Sequence, residues 1–131
     1  MKVSFDFDGT LSRESVQEFA ISLVNENHEV WIVTSRQNTE DALARGHHWV
    51  EKQNQQLFDV ADQCGILREN IVFTAHQDKI IFLKDKGFLF HLDDDIHELM
   101  EIQHGNDPCK PVNVEYFSWK EICLDLINKN K

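Results

Sequence analysis

The sequence has few of the features that mark disulfide-bonded or membrane-spanning proteins. It contains three cysteines, at positions 64, 109 and 123, and no C-x-x-C pair. An odd number of widely spaced cysteines argues against a disulfide framework or a zinc ribbon and favours a reducing compartment. No apolar run approaches the roughly 20 residues that cross a bilayer. Asp6 interrupts the N-terminus too early for a signal peptide. We therefore expect a cytoplasmic protein that makes no membrane contact.

Positive charge is also scarce in this chain. Thirteen Lys and Arg residues face 23 Asp and Glu residues, which gives a formal net charge of −10. A field of this sign repels nucleic-acid backbones and anionic membranes, so the charge disfavours a nucleic-acid partner. A bound divalent cation would reverse the sign locally, and part of the acidity can belong to such a site.

The amounts of apolar and charged residues are those of an ordinary globular domain. Of the 131 residues, 41% are hydrophobic and 27% are charged, and the chain has no repeats or low-complexity tracts. A chain of this length fits one compact domain. We expect a single domain over residues 1–131, with room for one sheet and its helices but not for a large lid.

Short apolar runs alternate with helical periodicity along the chain. The runs predict five strands, over residues 3–7, 30–33, 71–73, 88–92 and, as an edge strand, 112–117. Between them, apolar residues spaced by three and four predict helices over 16–24, 39–64 in two pieces, 78–86, a short segment from 96, and 119–127. This alternation predicts an α/β fold with a doubly wound, Rossmann-like, mainly parallel five-stranded sheet and helices on both faces.

Capping residues mark the ends of several predicted helices. Thr39 is the expected N-cap of the second helix, and Asp95 that of the short helix after the fourth strand. Gly65 suits a helix C-terminus. Ser118 and Glu121 form a capping-box pattern before the last helix. Residues 103–111 are expected to form a loop.

Polar residues follow the predicted strands, where doubly wound sheets bind their ligands. In chain order they are Asp6, Asp8, Gly9 and Thr10 after the first strand, Thr34, Ser35 and Arg36 after the second, Lys79 after the third, and Asp93, Asp94 and Asp95 after the fourth. If the first strand is central, these groups can converge on one crevice. Carboxylates, a hydroxyl and an ammonium together suit a hard divalent cation and a phosphoryl group.

The same residues resemble the four motifs of the haloacid dehalogenase (HAD) superfamily. Segment 5–11, FDFDGTL, resembles the first motif, D-x-D-G-T-L after a hydrophobic strand. Segment 30–36, VWIVTSR, resembles the second, Lys79 the third, and segment 92–94, LDD, the fourth. The four motifs follow the family's order across residues 3 to 95. The resemblance implies a HAD core without a cap domain and a Mg²⁺-dependent phosphatase.

The resemblance also implies roles for the first motif. Asp6 would be the nucleophile that forms an aspartyl phosphate. Asp8 would protonate the leaving oxygen and later deprotonate the attacking water, with Thr10 positioning it. The turn at Gly9 would bring backbone N–H groups close to the phosphate.

The remaining motifs would hold the metal and the phosphoryl group. Mg²⁺ would be bound by Asp6, the backbone carbonyl of Asp8, and Asp93, while Asp94 would orient a metal-bound water or Lys79. The phosphoryl oxygens would meet Thr34 and the amide of Ser35, and Lys79 would offset charge on Asp6 and the transferring group.

Several assignments stay open from the sequence. The run 93–95 permits a shift of the acidic pair to Asp94 and Asp95, although Asp95 can instead cap the next helix. Lys84 and Lys86 also precede the fourth strand, but Lys79 lies nearer the third. Arg36 suits a substrate-phosphate clamp or a plain surface charge equally well.

Three other features are expected to be structural. The seven histidines show no H-x-x-x-H spacing, which disfavours a metal role for them. The tryptophans at positions 31, 49 and 119 are expected in the core and not on a base-stacking platform. Cys109 is expected to be a free thiol in a loop.

The substrate class is not specified by these motifs. A phosphomonoester is the leading expectation, and a nucleotidase or a polynucleotide 3′-end phosphatase is the alternative within enzymes. A site without a cap would suit a large phosphorylated partner, a macromolecular end, or coverage by a second copy in a homo-oligomer. A non-catalytic phosphate-binding or interaction module is the alternative of another class. A receiver-like phosphoacceptor is disfavoured because residues 74–76, after the third strand, contain no Asp.

Overall fold

The computed structural model describes residues 1–131 as an alternation of strands and helices around one parallel sheet. The strands are β1 Lys2–Phe5, β2 Glu29–Thr34, β3 Ile71–Phe73, β4 Phe90–Asp93 and β5 Lys110–Asn113. The helices are α1 Glu14–Asn25, α2 Thr39–Ala44, α3 Trp49–Cys64, α4 Ile80–Leu83, α5 Ile96–His104 and α6 Trp119–Lys129. A wide π-type turn, Phe7–Leu11, follows β1, and a short 3₁₀ turn, Arg68–Asn70, precedes β3.

The five strands lie in the order β3-β2-β1-β4-β5, and every pairing is parallel. The predicted α/β class with a doubly wound, five-stranded sheet is therefore confirmed. The chain moves outward from β1 to β2 and β3 and then crosses back to β4 and β5. The strand order thus reverses between β1 and β4, and a crevice opens there beyond the carboxyl ends of the strands.

Side chains alternate between the two faces of the sheet, and each face is covered by helices. On one face, Val3 and Phe5 belong to the main core with residues of α1, α3 and α6. The ring of Phe5 packs edge-on against Phe19 of α1, with ring centroids 6.3 Å apart. On the other face, Val33 packs with residues of α4 and α5. This two-sided burial is typical of doubly wound sheets.

The predicted and observed bounds of most elements agree to within about two residues, and two elements differ more. The helix expected over 78–86 is one turn, Ile80–Leu83. The last strand, expected over 112–117, runs Lys110–Asn113, and Pro111 lies within it. Proline is tolerated there because β5 is an edge strand. The chain leaves the sheet after Asn113, whose side chain accepts a hydrogen bond from the N–H of Glu115 at 2.9 Å.

Two of the expected caps are confirmed and two are wrong. Asp95 accepts hydrogen bonds from the backbone at the start of α5, and Gly65 ends α3 with φ +80°. Asn38, and not Thr39, caps α2, because its side chain accepts from the N–H of Asp41 at 2.8 Å. Ser118 precedes α6 without any side-chain cap bond, so the capping box is not formed.

The connections of the sheet hold little beyond the helices that cover it. Only the π-type turn lies between β1 and α1, while α2, α3 and the 3₁₀ turn connect β2 to β3. No helix has the combined length and hydrophobicity needed to cross a membrane. The three cysteines are free, and all are buried, including Cys109.

Candidate active site

A polar cavity of about 340 Å³ lies at the carboxyl ends of β1 and β4, where the strand order reverses. Its lining contains no hydrophobic residue and comprises Asp6, Asp8, Ser35, Lys79, Asp93, Asp94 and Asp95. Asp6 directly follows β1, and Asp93 is the last residue of β4. The sheet therefore brings together groups that are far apart in the sequence.

Three carboxylates form the only group of three or more His, Cys, Asp or Glu side chains placed closely enough to hold a metal ion. One oxygen each of Asp6, Asp93 and Asp94 lies within 4.8 Å of the others. Such a set of oxygen donors suits a hard divalent cation. Asp95 is outside this group because its carboxylate caps α5. The three carboxylates are called the acidic triad below.

Lys79 lies beside the acidic triad and is almost fully buried, with 2% of its side chain exposed. Its ammonium donates to Asp6 Oδ1 at 2.8 Å and to Asp93 Oδ2 at 2.6 Å. The backbone N–H of Lys79 donates to Glu98 Oε2 at 2.9 Å, which fixes the start of α4 against α5. Lys84 and Lys86 are exposed. Lys79 therefore contacts two of the three acidic residues and not Asp94.

The ionisation of these buried groups is uneven. Burial first, and then the charge of Asp93, raise the pKa of Asp6 to about 8 against the opposing effect of Lys79. Burial would also raise the pKa of Asp93, but the hydrogen bond from His91 and the charge and hydrogen bond of Lys79 hold it well below its usual range. Burial would lower the pKa of Lys79, but Asp6 and Asp93 outweigh burial and raise it. The Lys79 ammonium thus balances the ionised carboxylate of Asp93. A further cation at the site would favour the ionised form of Asp6.

A buried histidine, His91, is hydrogen-bonded to Asp93, and the sequence analysis did not identify it. His91 Nε2 lies 2.8 Å from Asp93 Oδ2, and His91 Nδ1 lies 2.7 Å from Ser4 Oγ. Burial lowers the pKa of His91, which favours the neutral ring. In that form Nε2–H donates to Asp93 and Ser4 donates to Nδ1. The available signal was strand periodicity, because residues two apart share a face of the sheet.

Asp8 is held outside the acidic triad by Arg36. Arg36 Nη2 donates to Asp8 Oδ1 at 2.7 Å, and Nε donates to Oδ2 at 2.9 Å. The guanidinium also donates to the carbonyl of Gln53 at 2.7 Å and lies 4.9 Å from the centre of the Phe7 ring. The side chain of Asp8 is 58% exposed. Arg36 is thus an anchored partner of Asp8 and not a free surface charge.

The turn after β1 uses Gly9 and Thr10 differently from expectation. Thr10 donates to Asp6 Oδ2 at 3.3 Å and not to Asp8, because the turn carries Asp8 outward. The N–H of Gly9 donates to Ser12 Oγ at 3.1 Å. Gly9 has φ +74°, and a Cβ at this position would overlap the carboxylate of Asp94. Gly9 therefore leaves room for the acidic triad.

The two hydroxyl residues after β2 lie at different depths. Ser35 lines the cavity, whereas Thr34 is fully buried and does not line it. Thr34 Oγ1 accepts a hydrogen bond from the N–H of Arg36 at 3.4 Å. Ser35 is therefore the hydroxyl residue that a bound phosphoryl group could reach directly.

A second cleft, of about 440 Å³, adjoins the cavity and shares Asp8 and Ser35 with it. Trp49 lines this cleft and is 61% exposed, so the expectation that it lies in the core is wrong. Trp49 is the first residue of α3, ahead of the part of that helix that reaches the core. Trp31 and Trp119 are partly buried and pack against Phe88 and Phe19.

Comparisons of the chain with protein-family models, curated proteins and solved structures found no match. The fold and the site define an α/β protein with an acidic, lysine-containing crevice at the switch point of its sheet. Membership of the HAD superfamily stays a prediction from the four motifs.

Proposed function

We propose that the chain is a Mg²⁺-dependent phosphomonoester hydrolase of the HAD type that works through an aspartyl phosphate on Asp6. The observation that carries the proposal is the acidic triad with buried Lys79 against two of its members. A carboxylate nucleophile, a cation site and a fixed ammonium are the groups that phosphoryl transfer to a carboxylate needs.

The residues of the triad fit Mg²⁺. Asp6, Asp93 and Asp94 offer only oxygen donors, and no His or Cys side chain joins them. Such hard, anionic donors suit Mg²⁺ better than a thiolate- or imidazole-binding metal. When bound there, Mg²⁺ would reduce the repulsion between the Asp6 carboxylate and an anionic ester.

The chain's own residues account for both halves of the reaction. A carboxylate oxygen of Asp6 attacks phosphorus while the ester P–O bond breaks, and Asp8 donates a proton to the leaving oxygen. Water then attacks the aspartyl phosphate while Asp8 takes its proton, which releases inorganic phosphate and restores Asp6. Asp8 has to rotate away from Arg36 for both proton transfers, since Arg36 holds both of its oxygens.

Lys79 and Ser35 act on the transferring group. Lys79 keeps Asp6 in place and offsets the charge that builds up on the phosphoryl oxygens. Ser35 lies on the cavity wall, where its N–H or hydroxyl can donate to a phosphoryl oxygen. Thr34 holds the loop after β2 in place, because its hydroxyl oxygen accepts a hydrogen bond from the N–H of Arg36.

The test is a phosphate-release assay on a panel of phosphorylated metabolites, with and without Mg²⁺, on wild type and Asp6→Asn. We expect turnover to require the metal and to fall by at least about 10³-fold in the variant, because the nucleophile is lost. Asp125→Asn, in an exposed ion pair on α6, is the matched control and should match wild type. Equal turnover by Asp6→Asn would remove Asp6 from its role. Phosphate binding without any turnover would leave the non-catalytic phosphate-binding module instead.

A further inference from the structure

The second cleft lies on the side of the cavity where a leaving group would emerge. The two spaces share Asp8 and Ser35, so a molecule with its phosphate beside Asp6 could extend past these two residues into the cleft. Asp8 is also the residue that would protonate the leaving oxygen. The part of the substrate attached to the leaving oxygen would therefore occupy this cleft.

One wall of the cleft is an aromatic pair of an exposed Trp49 and a half-buried His47. The rings of His47 and Trp49 lie 5.0 Å apart, centre to centre, with their planes tilted by 31°. Trp49 is 61% exposed although it is large and apolar. Exposed tryptophan at a cleft adjoining a catalytic centre is a feature of ligand sites, where a flat ring can extend the stack.

The rest of the cleft offers hydrogen bonds and little negative charge. Gln37 and Gln53 line it with an amide each, and His76 faces the same space. Its single acidic residue, Asp8, is paired with Arg36. The chain as a whole carries a formal net charge of −10 and repels anions. The cleft has no unpaired acidic side chain, so an anionic ligand can approach it. Amide groups can pair with both donors and acceptors on the edge of a heteroaromatic ring.

We propose that this cleft holds the nucleobase of a nucleoside monophosphate whose phosphate lies beside Asp6. The proposal depends on the proposed phosphatase function and names its substrate class. The volume of about 440 Å³ is within the size range of small-molecule sites. The base stacks on Trp49 and His47, and the sugar spans the distance to the cavity. The acidic surface favours a mononucleotide over a polynucleotide end.

The test compares kcat/KM for the four ribonucleoside 5′-monophosphates with that for glycerol 2-phosphate, which has no ring. We expect wild type to prefer at least one nucleotide by about tenfold or more, as stacking on one aromatic side chain allows. Trp49→Ala should lose most of that preference through a higher KM and keep its activity on glycerol 2-phosphate. Trp49→Phe should retain the preference. Phe117→Ala, at another exposed aromatic residue, is the control and should behave as wild type.

Binding separates failure of this inference from failure of the proposed function. Calorimetry with Asp6→Asn protein at saturating Mg²⁺, where Asp93 and Asp94 remain to hold the cation, measures nucleotide binding without turnover, and free nucleosides should compete while ribose should not. If nucleotides bind in a way that depends on Trp49 but wild type does not turn them over, the cleft is a nucleobase site and the proposed phosphatase function is rejected. If wild type turns over phosphate esters without preferring any of the four nucleotides, and Trp49→Ala behaves in the same way, the cleft does not bind a nucleobase. The proposed phosphatase function would then still stand. If Trp49→Ala does not fold, competition by nucleosides against wild type decides whether the cleft binds the base, and its absence would overturn the inference.

Discussion

Arg36 holds Asp8 by both carboxylate oxygens, with Nη2 2.7 Å from Oδ1 and Nε 2.9 Å from Oδ2. The two residues are 28 positions apart in the chain and come together at the carboxyl ends of neighbouring strands β1 and β2. The pair keeps the Asp8 side chain out of the acidic triad. The Asp8 carboxylate is therefore not one of the clustered carboxylates, and it has to leave Arg36 before it can take part in the proposed proton transfers.

This arrangement predicts that Asp8→Asn separates catalysis from metal binding. We expect kcat to fall by about 10²–10⁴-fold, as loss of a general acid and base does. The affinity for Mg²⁺ should stay that of wild type, because the triad is intact. Phosphate release and Mg²⁺ calorimetry on the same preparation measure the two effects. A matching loss of Mg²⁺ affinity would mean that the Asp8 carboxylate is a ligand after all.

Gly9→Ala should damage the triad through a steric clash. The new Cβ would lie 2.9 Å from the carboxylate carbon of Asp94, at a backbone φ of +74°. Gly46→Ala is a matched control, because Gly46 has φ +80° and no atom within 4 Å of a Cβ. Both variants should lose about 1–2 kcal/mol of stability to backbone strain. Only Gly9→Ala should weaken Mg²⁺ binding, and equal Mg²⁺ affinities in the two variants would count against the placement of Asp94.

Mg²⁺ affinity should increase with pH, because the cation competes with a proton on Asp6. In the metal-free protein, burial first and then Asp93 raise the pKa of Asp6 to about 8. Below that pH each Mg²⁺ must displace a proton, so its affinity should rise by up to about tenfold per pH unit and level off above about pH 8. Calorimetry at about pH 7 in buffers of different ionisation enthalpy should give close to one proton released per cation. An affinity that does not change between about pH 6 and pH 8 would contradict this.

The same raised pKa has an opposite effect on the stability of the metal-free protein. A carboxyl with a folded-state pKa above its unfolded value stabilises the fold at pH below about 4 and loses this contribution as pH rises through about 8. For Asp6 we therefore expect part of the metal-free stability to decline between these limits. Added Mg²⁺ should reverse the decline, since it binds the ionised form. Thermal unfolding in chelator and in Mg²⁺, across this pH range, measures the difference.

His91→Phe should weaken the metal site through Asp93. The substitution keeps an aromatic side chain in a buried position but removes the hydrogen bond between Nε2 and Asp93 Oδ2. Loss of a hydrogen bond that orients a metal ligand typically lowers metal affinity by about 10–100-fold. We expect Mg²⁺ affinity and turnover to fall together while the protein still unfolds cooperatively. His104→Asn, on the exposed end of α5, is the control and should leave both unchanged.

The fold and most of the site could be predicted from the sequence because both follow local rules. Apolar runs separated by helical periodicity define a parallel sheet, and polar residues at strand ends then fall on one edge of it. This reasoning finds Asp6, Asp93 and Lys79. It also separates Asp95 from Asp93 and Asp94, since a residue just before a helix can cap it.

The parts that could not be predicted depend on distances between segments far apart in the chain. Ser4 and His91 become neighbours only through the register of β1 with β4, across 87 positions. The contact between Arg36 and Asp8 depends on how the turn after β1 aims Asp8 outward. The exposure of Trp49 follows from where α3 begins, and an apolar residue at a helix start gives no signal of that position.

The most direct measurement identifies the phosphorylated residue. Protein with Mg²⁺ and a turned-over substrate is quenched in acid during steady state, reduced with borohydride and sequenced by mass spectrometry, since reduction converts an aspartyl phosphate to homoserine. We predict homoserine at position 6 alone, absent when Mg²⁺ or substrate is omitted. Modification at another residue, or none while phosphate release continues, would contradict the assignment of Asp6 as the nucleophile.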